Sequence, residues 1–146
     1  MRIDLDVCAI QRPLDTPNQV RIVLEAEAVR VILALIDAGQ FELMASDALI
    51  YETDRNPLPV RQEHARAVLS KAQRTVRLSD EAKSRAAQLV ELRFKPLDAL
   101  HLAFAEIGQA DYFCTCDDKL LRLARETDKL RVKVVSSLEL VQEIEQ

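Results

Sequence analysis

The sequence is poor in the residues that several common ligand sites require. Its 146 residues include two glycines, no tryptophan and only 4% aromatic residues. A dinucleotide-binding fingerprint needs three closely spaced glycines and a P-loop needs two, whereas Gly39 and Gly108 lie far apart. The usual nucleotide-phosphate loops are therefore excluded. The scarcity of aromatic side chains also argues against a surface that stacks many bases on rings.

Long apolar runs and an N-terminal leader are also missing. The longest apolar run, Val31 to Ile36, is bounded by Arg30 and Asp37 and is far shorter than the roughly 18 residues of a membrane span. The N-terminus carries Asp4 at once and lacks the apolar segment of a signal peptide. The sequence has three cysteines, and this odd number excludes a full disulfide framework. We therefore expect a cytoplasmic protein with reduced thiols and no contact with a membrane.

The remaining composition is that of one globular domain spanning residues 1–146. Apolar residues make up 49% of the chain and charged residues 30%, with a formal net charge of −4. Basic residues are concentrated in two segments: residues 55–77 hold six basic and one acidic residue, and residues 119–133 hold six and two. Such segments are compatible with solvated helix faces and with a surface that tracks a phosphate backbone.

Short β-type runs alternate along the chain with helical segments. The predicted strands are residues 2–7, 41–45, 75–78, 111–115 and 131–135, and the predicted helices are residues 19–38, 47–56, 60–73, 80–93, 96–109 and 117–126, followed by a short terminal helix. Ser46 and Ser79 are typical N-cap residues, and Gly39 suits the end of the first long helix. This alternation predicts an α/β fold, a three-layer α/β/α sandwich with a mainly parallel central sheet.

Acidic residues occupy positions where a parallel sheet presents its ligands, beyond the carboxyl ends of the strands. Asp6 closes the first predicted strand and Asp117 follows the fourth, while Asp98 and Glu52 lie on neighbouring helices. Clustered carboxylates repel one another, and a hard cation such as Mg²⁺ or Mn²⁺ relieves this by accepting oxygen ligands. A bound metal activates water and polarises phosphoryl oxygens, which points to phosphodiester hydrolysis. Each acid alone is equally explained as a helix cap or a solvated side chain.

Four segments of the chain together resemble the PIN-domain family, which includes the VapC-type toxin ribonucleases. The more specific two are PLDALHLA (residues 96–103) and ADYFCTCDDKLL (residues 110–121). The segment IDLDVC (residues 3–8) is similar to the family's first strand with its metal-binding aspartate, and SDALIYETDRNP (residues 46–57) is similar to its glutamate-bearing helix. The resemblance covers nearly the whole chain.

The resemblance implies a PIN-like sandwich and a metal-dependent nuclease that acts on RNA. The catalytic set it implies is Asp6, Glu52, Asp98 and Asp117. Asp6, Asp98 and Asp117 would hold Mg²⁺ or Mn²⁺, and Glu52 would bind the ion or orient the water. Thr115 matches a small hydroxyl residue that holds a carboxylate or a water. Many relatives form homodimers, and the toxins are inhibited by an antitoxin, so RNA, an antitoxin and a second copy are the expected partners.

Three neighbouring positions carry alternatives. The family often has Ser or Thr soon after the first aspartate, where this chain has Val7 and Cys8, so a hydroxyl that supports Asp6 is expected to be missing. Asp118 either adds a water-mediated contact to the site or is a charge at a helix start. Asp4 is expected to be an edge or solvent charge, with a role as first ligand as the alternative.

We assign structural roles to the histidines and cysteines. His101 follows Asp98 by three residues on the same helix face, and we expect a partly buried structural histidine, with a supporting contact to the site as the alternative. His64 lies in a charged helix and is expected to be solvated. The cysteines are expected in the core, because a zinc site would need more ligands at suitable spacing. Arg21 and Glu25 are predicted to form an i,i+4 ion pair.

Three functions remain in competition. The first is a Mg²⁺- or Mn²⁺-dependent ribonuclease, the toxin of a toxin–antitoxin pair, with the basic segments along the RNA phosphates. The second is a catalytically weak PIN scaffold that binds RNA or protein, which a missing hydroxyl beside Asp6 favours. The third, a phospho-receiver-like switch, is disfavoured because Lys133 lies inside a predicted strand and no middle strand ends in a suitable aspartate.

Overall fold

A five-stranded parallel sheet forms the middle layer of the protein. The computed structural model describes residues 1–145, and its strands are β1 (Arg2–Leu5), β2 (Glu42–Ser46), β3 (Arg74–Val76), β4 (Tyr112–Cys114) and β5 (Lys133–Val135). Their order in the sheet is β3-β2-β1-β4-β5, and every neighbouring pair is parallel. The register places Leu5 opposite Cys114 and Asp4 opposite Met44. The first strand of the chain is therefore the central strand.

Helices cover both faces of this sheet. In the part of the chain that the structure describes they are α1 (Val7–Gln11), α2 (Val20–Asp37), α3 (Asp47–Asp54), α4 (Pro59–Leu69), α5 (Asp80–Glu91), α6 (Pro96–Ile107), α7 (Asp118–Glu126) and α8 (Ser137–Ile144). One core cluster, with Phe104 and Phe113, packs the sheet against α5 and α6. The other, with Ile3, Ile32 and Leu140, packs it against α2, α4 and α8. The structure confirms the predicted α/β/α sandwich.

Local signals in the sequence explain several helix boundaries. The hydroxyls of Ser46 and Ser79 accept hydrogen bonds from the backbone amides three residues later, at 3.2 and 3.1 Å. Gly39 ends α2 with a φ of 76°, a conformation that costs glycine little. Because Ser46 both ends β2 and caps α3, no loop separates the two elements, and Glu52 stays close to the carboxyl edge of the sheet.

The start of the chain differs from the predicted strand and loop. The first strand ends at Leu5, because the Asp6 side chain accepts a hydrogen bond from the Val7 amide at 2.8 Å and begins α1. A 3-10 turn at Arg12–Leu14 follows, inside the stretch that was expected to be a loop. The unpredicted α1 turns the chain directly over the sheet edge, and Asp6 is its cap.

The additional helix also changes the environment of His64. The prediction of a solvated side chain is wrong: the ring is half-buried, and its Nε2 lies 2.9 Å from the carbonyl oxygen of Ile10. The contact exists because α1 places Ile10 beside α4. His64 therefore joins two helices.

The long helix α2 buries only part of its apolar surface. Ile32 and Ile36 lie in the core, whereas Val20, Leu24 and Val31 are exposed. Within residues 1–145, none of the helices has the combination of length and hydropathy needed to cross a membrane. The exposed side chains leave an apolar strip on the outer face of α2.

Candidate active site

The candidate site lies at the carboxyl end of the central strand β1, where the chain leaves the sheet between two neighbouring strands. β1 pairs with β2 on one side and with β4 on the other. The Asp6 amide continues the ladder by donating to the Cys114 carbonyl oxygen at 2.8 Å, so the residues after both strands stay together. In parallel α/β sheets, a crevice forms at such a switch point and ligands bind there.

Asp6 stands in the middle of this edge and is 8% exposed. Its Oδ2 accepts hydrogen bonds from the Thr115 hydroxyl at 2.8 Å and from the Cys8 thiol at 3.4 Å. Burial raises the pKa of Asp6, and Glu52 adds to the rise, while His101 and the two side-chain donors lower it. The expected gap beside Asp6 is thus filled: the hydroxyl is absent from Val7 and Cys8, but the thiol serves as a donor.

Glu52 and His101 meet next to Asp6. The His101 side chain on α6 is 2% exposed, and its Nε2 contacts Glu52 Oε1 of α3 in a very short hydrogen bond. One ligand atom each of Asp6, Glu52 and His101 lies within 4.8 Å of the others. Burial alone would lower the pKa of His101, but the hydrogen bond to Glu52 and the surrounding carboxylates raise it. His101 is therefore buried and hydrogen-bonded, as expected of a structural histidine, and it also contacts Glu52 directly.

Asp98 and Asp117 border an adjoining cleft of about 130 Å³. Asp98 lies in the first turn of α6, and its pKa is raised by burial and by the charges of Asp6 and Asp117. Asp117 caps α7, and its Oδ1 accepts from the amides of Lys119 and Leu120 at 3.0 and 3.2 Å. These two carboxylates are not within the 4.8 Å group of Asp6, but the charges of Asp6 and Asp117 both raise the pKa of Asp98.

Thr115 links the two halves of the site. Its buried hydroxyl donates to Asp6 Oδ2 and accepts a hydrogen bond from the Asp117 amide at 3.1 Å. Asp118 lies elsewhere: its exposed carboxylate pairs with both terminal nitrogens of Arg21, at 2.7 and 2.5 Å. Arg21 also forms the predicted ion pair with Glu25, at 3.4 Å. Asp118 is thus paired with Arg21 at the surface, at the start of α7.

Asp4 is the clearest error of the sequence analysis at this site. It was expected at an edge or in solvent, yet it is 1% exposed on the central strand, and neither carboxylate oxygen has a hydrogen-bond partner within residues 1–145. Burial raises its pKa to about 8, against the opposing charge of His101. Asp4 is buried because β1 is the central strand of a parallel sheet that is covered on both faces.

The donors at this edge fit a hard divalent cation. Asp6, Glu52, Asp98 and Asp117 offer oxygen atoms, and burial and mutual repulsion raise the pKa of Asp6 and Asp98. A cation removes this repulsion, and oxygen-rich sets are the ones that Mg²⁺ and Mn²⁺ favour. Cys114 and Cys116 are buried and Cys8 is half-buried, as expected of core residues.

Two solved structures share the fold. One is a chain in the crystal structure of VapBC2 from Rickettsia felis bound to a DNA fragment from the VapBC2 promoter. It has 15% sequence identity to this chain and a TM-score of 0.62, and the match covers 93% of this chain and 98% of that one. PAE2754 from Pyrobaculum aerophilum has 16% identity and a TM-score of 0.54 over 100% of this chain and 91% of that one. No protein with a curated description matches the sequence.

A sequence model of the PIN domain matches residues 13–126, which is most of the chain. The matched segment contains Glu52, Asp98 and Asp117 and begins after Asp6. PIN domains are typically nucleases and generally use divalent metal ions. The parallel sandwich, the carboxylate-lined edge and the match over most of the sequence lead to one conclusion: the chain belongs to the PIN domain family.

Proposed function

We propose that this protein is a Mg²⁺- or Mn²⁺-dependent endoribonuclease that acts as the toxin of a toxin–antitoxin pair. The observation that supports this most is that Asp6 and Glu52 lie in one close group while Asp98 and Asp117 line the adjoining cleft, although the four come from elements far apart in sequence. Burial and neighbouring carboxylates raise the pKa of Asp6 and of Asp98, so the charged forms of these two are costly unless a cation joins them.

The proposal gives each residue a task. Asp6, Asp98 and Asp117 hold the metal, and Glu52 binds it or orients the attacking water. The bound metal lowers the pKa of a water ligand and polarises the phosphoryl oxygen. Thr115 holds the Asp6 carboxylate and the start of α7 together. Asp118, paired with Arg21, fixes the same helix start one residue after Asp117.

The donors around Asp6 bear on the competing function, a catalytically weak binding scaffold. That alternative depends on a missing group beside Asp6. Thr115 and Cys8 both donate to Asp6 Oδ2. Since its orientation is supported on two sides, we favour the nuclease.

Cleavage of a fluorescent RNA, with and without Mn²⁺, tests the proposal. We expect metal-dependent cleavage that Asp98→Asn lowers by roughly a hundredfold or more, because a metal contributes several kcal/mol to the transition state. Asp128→Asn is the control, since Asp128 is an exposed acid outside the site. RNA binding with no cleavage under any metal would support the scaffold and contradict the nuclease.

For partners, we propose an antitoxin and a second copy of the chain. The antitoxin follows from the structural neighbour, which is a chain of a VapBC complex. The second copy follows from the exposed apolar side chains of α2, among them Val20, Leu24 and Val31. Light scattering coupled to gel filtration tests the dimer, and a Leu24→Lys variant that stays equally associated would contradict the α2 contact. Inhibition of cleavage by the product of an adjacent small reading frame tests the antitoxin.

A further inference from the structure

A cleft beside the carboxylates is bordered by three cations as well as by acids. Its polar lining consists of Arg93, Lys95 and Lys119 together with Asp98 and Asp117. Its apolar lining is Phe94, Leu120 and Leu123. The cations come from the α5–α6 connection and from the first turn of α7, on either side of the opening.

None of these three cations forms an ion pair with residues 1–145, although two acids border the same cleft. Lys95 lowers the pKa of Asp98 only through space. Elsewhere near the site, basic groups are paired, as Arg12 is with Glu25 at 3.2 Å and Arg21 with Asp118. When a metal occupies the acids, the three cations remain as unneutralised positive charge facing the cleft. An anion is the ligand that such a surface attracts.

The backbone of Arg93 provides a matched control for the cleft. Its φ is 78°, in the left-handed region that favours glycine, at the end of α5. The amide of the next residue, Phe94, closes the helix by donating to the Leu89 carbonyl oxygen at 3.3 Å. Gln109 has the same kind of conformation, with φ 58°, at the end of α6 and does not line this cleft. A left-handed residue ends many helices, so the φ of Arg93 belongs to the cap of α5 and can be relieved by glycine in the same way as that of Gln109.

We propose that Arg93, Lys95 and Lys119 form a subsite for a backbone phosphate of the RNA, next to the phosphodiester that is cleaved. This inference rests on the proposed ribonuclease function. The cations bind the strand by charge and hold it in register with the carboxylates. Phe94 is 2% exposed and offers no ring on which a base could stack, so the subsite is tolerant of sequence.

Binding without cleavage is the direct test. A fluorescein-labelled single-stranded RNA is titrated in EDTA, and its anisotropy gives the affinity at several salt concentrations. The variants are Arg93→Ala, Lys95→Ala and Lys119→Ala, with Lys83→Ala and Lys83→Gln as controls, because Lys83 is exposed, is unpaired within residues 1–145, and lies outside both the cleft and the two basic segments. We expect each cleft variant to bind severalfold more weakly and to reduce the salt slope by about 0.7 per lost phosphate contact. Equal effects in the cleft variants and the controls would overturn the subsite.

A matched pair of glycine variants separates the subsite from the fold. Arg93→Gly and Gln109→Gly both relieve a positive φ, so both are expected to raise the melting temperature. Only Arg93→Gly is expected to lose RNA affinity. Unchanged RNA affinity in a stabilised Arg93→Gly protein would refute the proposal. Tighter binding of an acidic peptide than of the RNA at the cleft, in the same anisotropy experiment, would refute it as well.

The two proposals fail in different ways. If the wild type does not cleave RNA but the cleft variants lose affinity in EDTA, the subsite stands and the nuclease assignment is wrong. If the wild type cleaves RNA and the cleft variants bind and cleave it as well as the controls do, the nuclease stands and the subsite is wrong.

Discussion

The two ends of α6 both adjoin buried acidic groups, but within residues 1–145 only one end provides hydrogen-bond partners for all of its buried polar atoms. At the C-terminal end, the fully buried Glu106 side chain accepts two hydrogen bonds from Arg85, at 2.6 and 3.1 Å, and one from the Arg131 amide at 2.8 Å. At the N-terminal end, the carboxylate of Asp4 and the Nδ1 of His101 are buried without a hydrogen-bond partner among residues 1–145.

The two ends therefore differ in what they contribute to the free energy of unfolding: the Glu106 end stabilises the fold, and the Asp4 end destabilises it. A buried charge is tolerated when hydrogen bonds and a counter-charge replace the lost water, as they do at Glu106. Around Asp4 the replacement is incomplete, and the carboxylates of Asp6 and Asp98 repel one another. We interpret the first end as a structural clamp and the second as a site whose stability depends on a bound cation, in line with the common trade-off between stability and function.

Removing the clamp is expected to have the largest effect. Glu106→Ala leaves the guanidinium of Arg85, whose side chain is only 13% exposed, without its partner. We expect a loss of roughly 3–5 kcal/mol in the free energy of unfolding, measured with urea. Asp54→Ala is the control, because the pair of Asp54 with Arg66 is exposed and should contribute less than about 1 kcal/mol. Similar losses for both variants would contradict the clamp.

A bound metal is expected to stabilise the protein through the carboxylates around Asp6, and not through Glu106 at the other end of α6. At a Mn²⁺ concentration of about one hundred times the dissociation constant, the free energy of unfolding should rise by about 2.7 kcal/mol. Asp6→Asn should lose this gain, whereas Glu106→Ala, although unstable, should keep it. Thermal denaturation with and without Mn²⁺ measures both. A gain that survives in Asp6→Asn would place the ion elsewhere.

The two ends should also differ in their response to pH. The pKa of Asp4 is raised to about 8 in the folded protein, so between about pH 4 and pH 8 the folded state binds the proton that the unfolded state has lost. Stability should therefore fall as the pH rises through this range, and the raised pKa of His101 acts in the same direction. Asp4→Asn should flatten the profile and gain about 1–3 kcal/mol above pH 8. If Asp4→Asn leaves the dependence of unfolding free energy on pH unaltered in denaturation experiments, Asp4 is not the source of that dependence.

The smallest effect is expected from the hydrogen bond that orients Glu52. His101→Phe keeps a ring beside Phe113, whose centroid lies 6.2 Å away, but removes the donor. We expect Mn²⁺ affinity, measured by calorimetry, to fall roughly tenfold, because partners that orient a ligand typically change affinity by about 10–100-fold. His101→Gln, which can still donate, should restore part of it. Equal affinity in the Phe variant would limit His101 to a packing role.

The fold was largely predictable because its signals are local. The Ser46 and Ser79 caps, Gly39 at the end of α2 and the alternation of strand and helix are all visible within short windows. The short helix α1 was missed because it is only five residues long and depends on the Asp6 side chain as its cap.

The candidate site was predictable in its acids, through the family resemblance, but not in the contacts among them. Asp4 is buried because β1 becomes central only when β2 and β4 pair with it, which a local pattern does not reveal. The contact between His101 and Glu52 joins two helices across 49 residues of sequence. The outward turn of Asp118 likewise depends on Arg21, which is 97 residues away.

The strand order has a consequence for the time at which this protein becomes complete during its synthesis. The central strand β1 leaves the ribosome before both of its neighbours, and one of them, β4, begins only at Tyr112, with Asp117 after it. A nascent chain that stops before this point has the first carboxylates but neither the second flank of β1 nor the last acid. Since long-range parallel pairing forms late, any activity that needs all four acids is withheld until β4 and Asp117 have been synthesised.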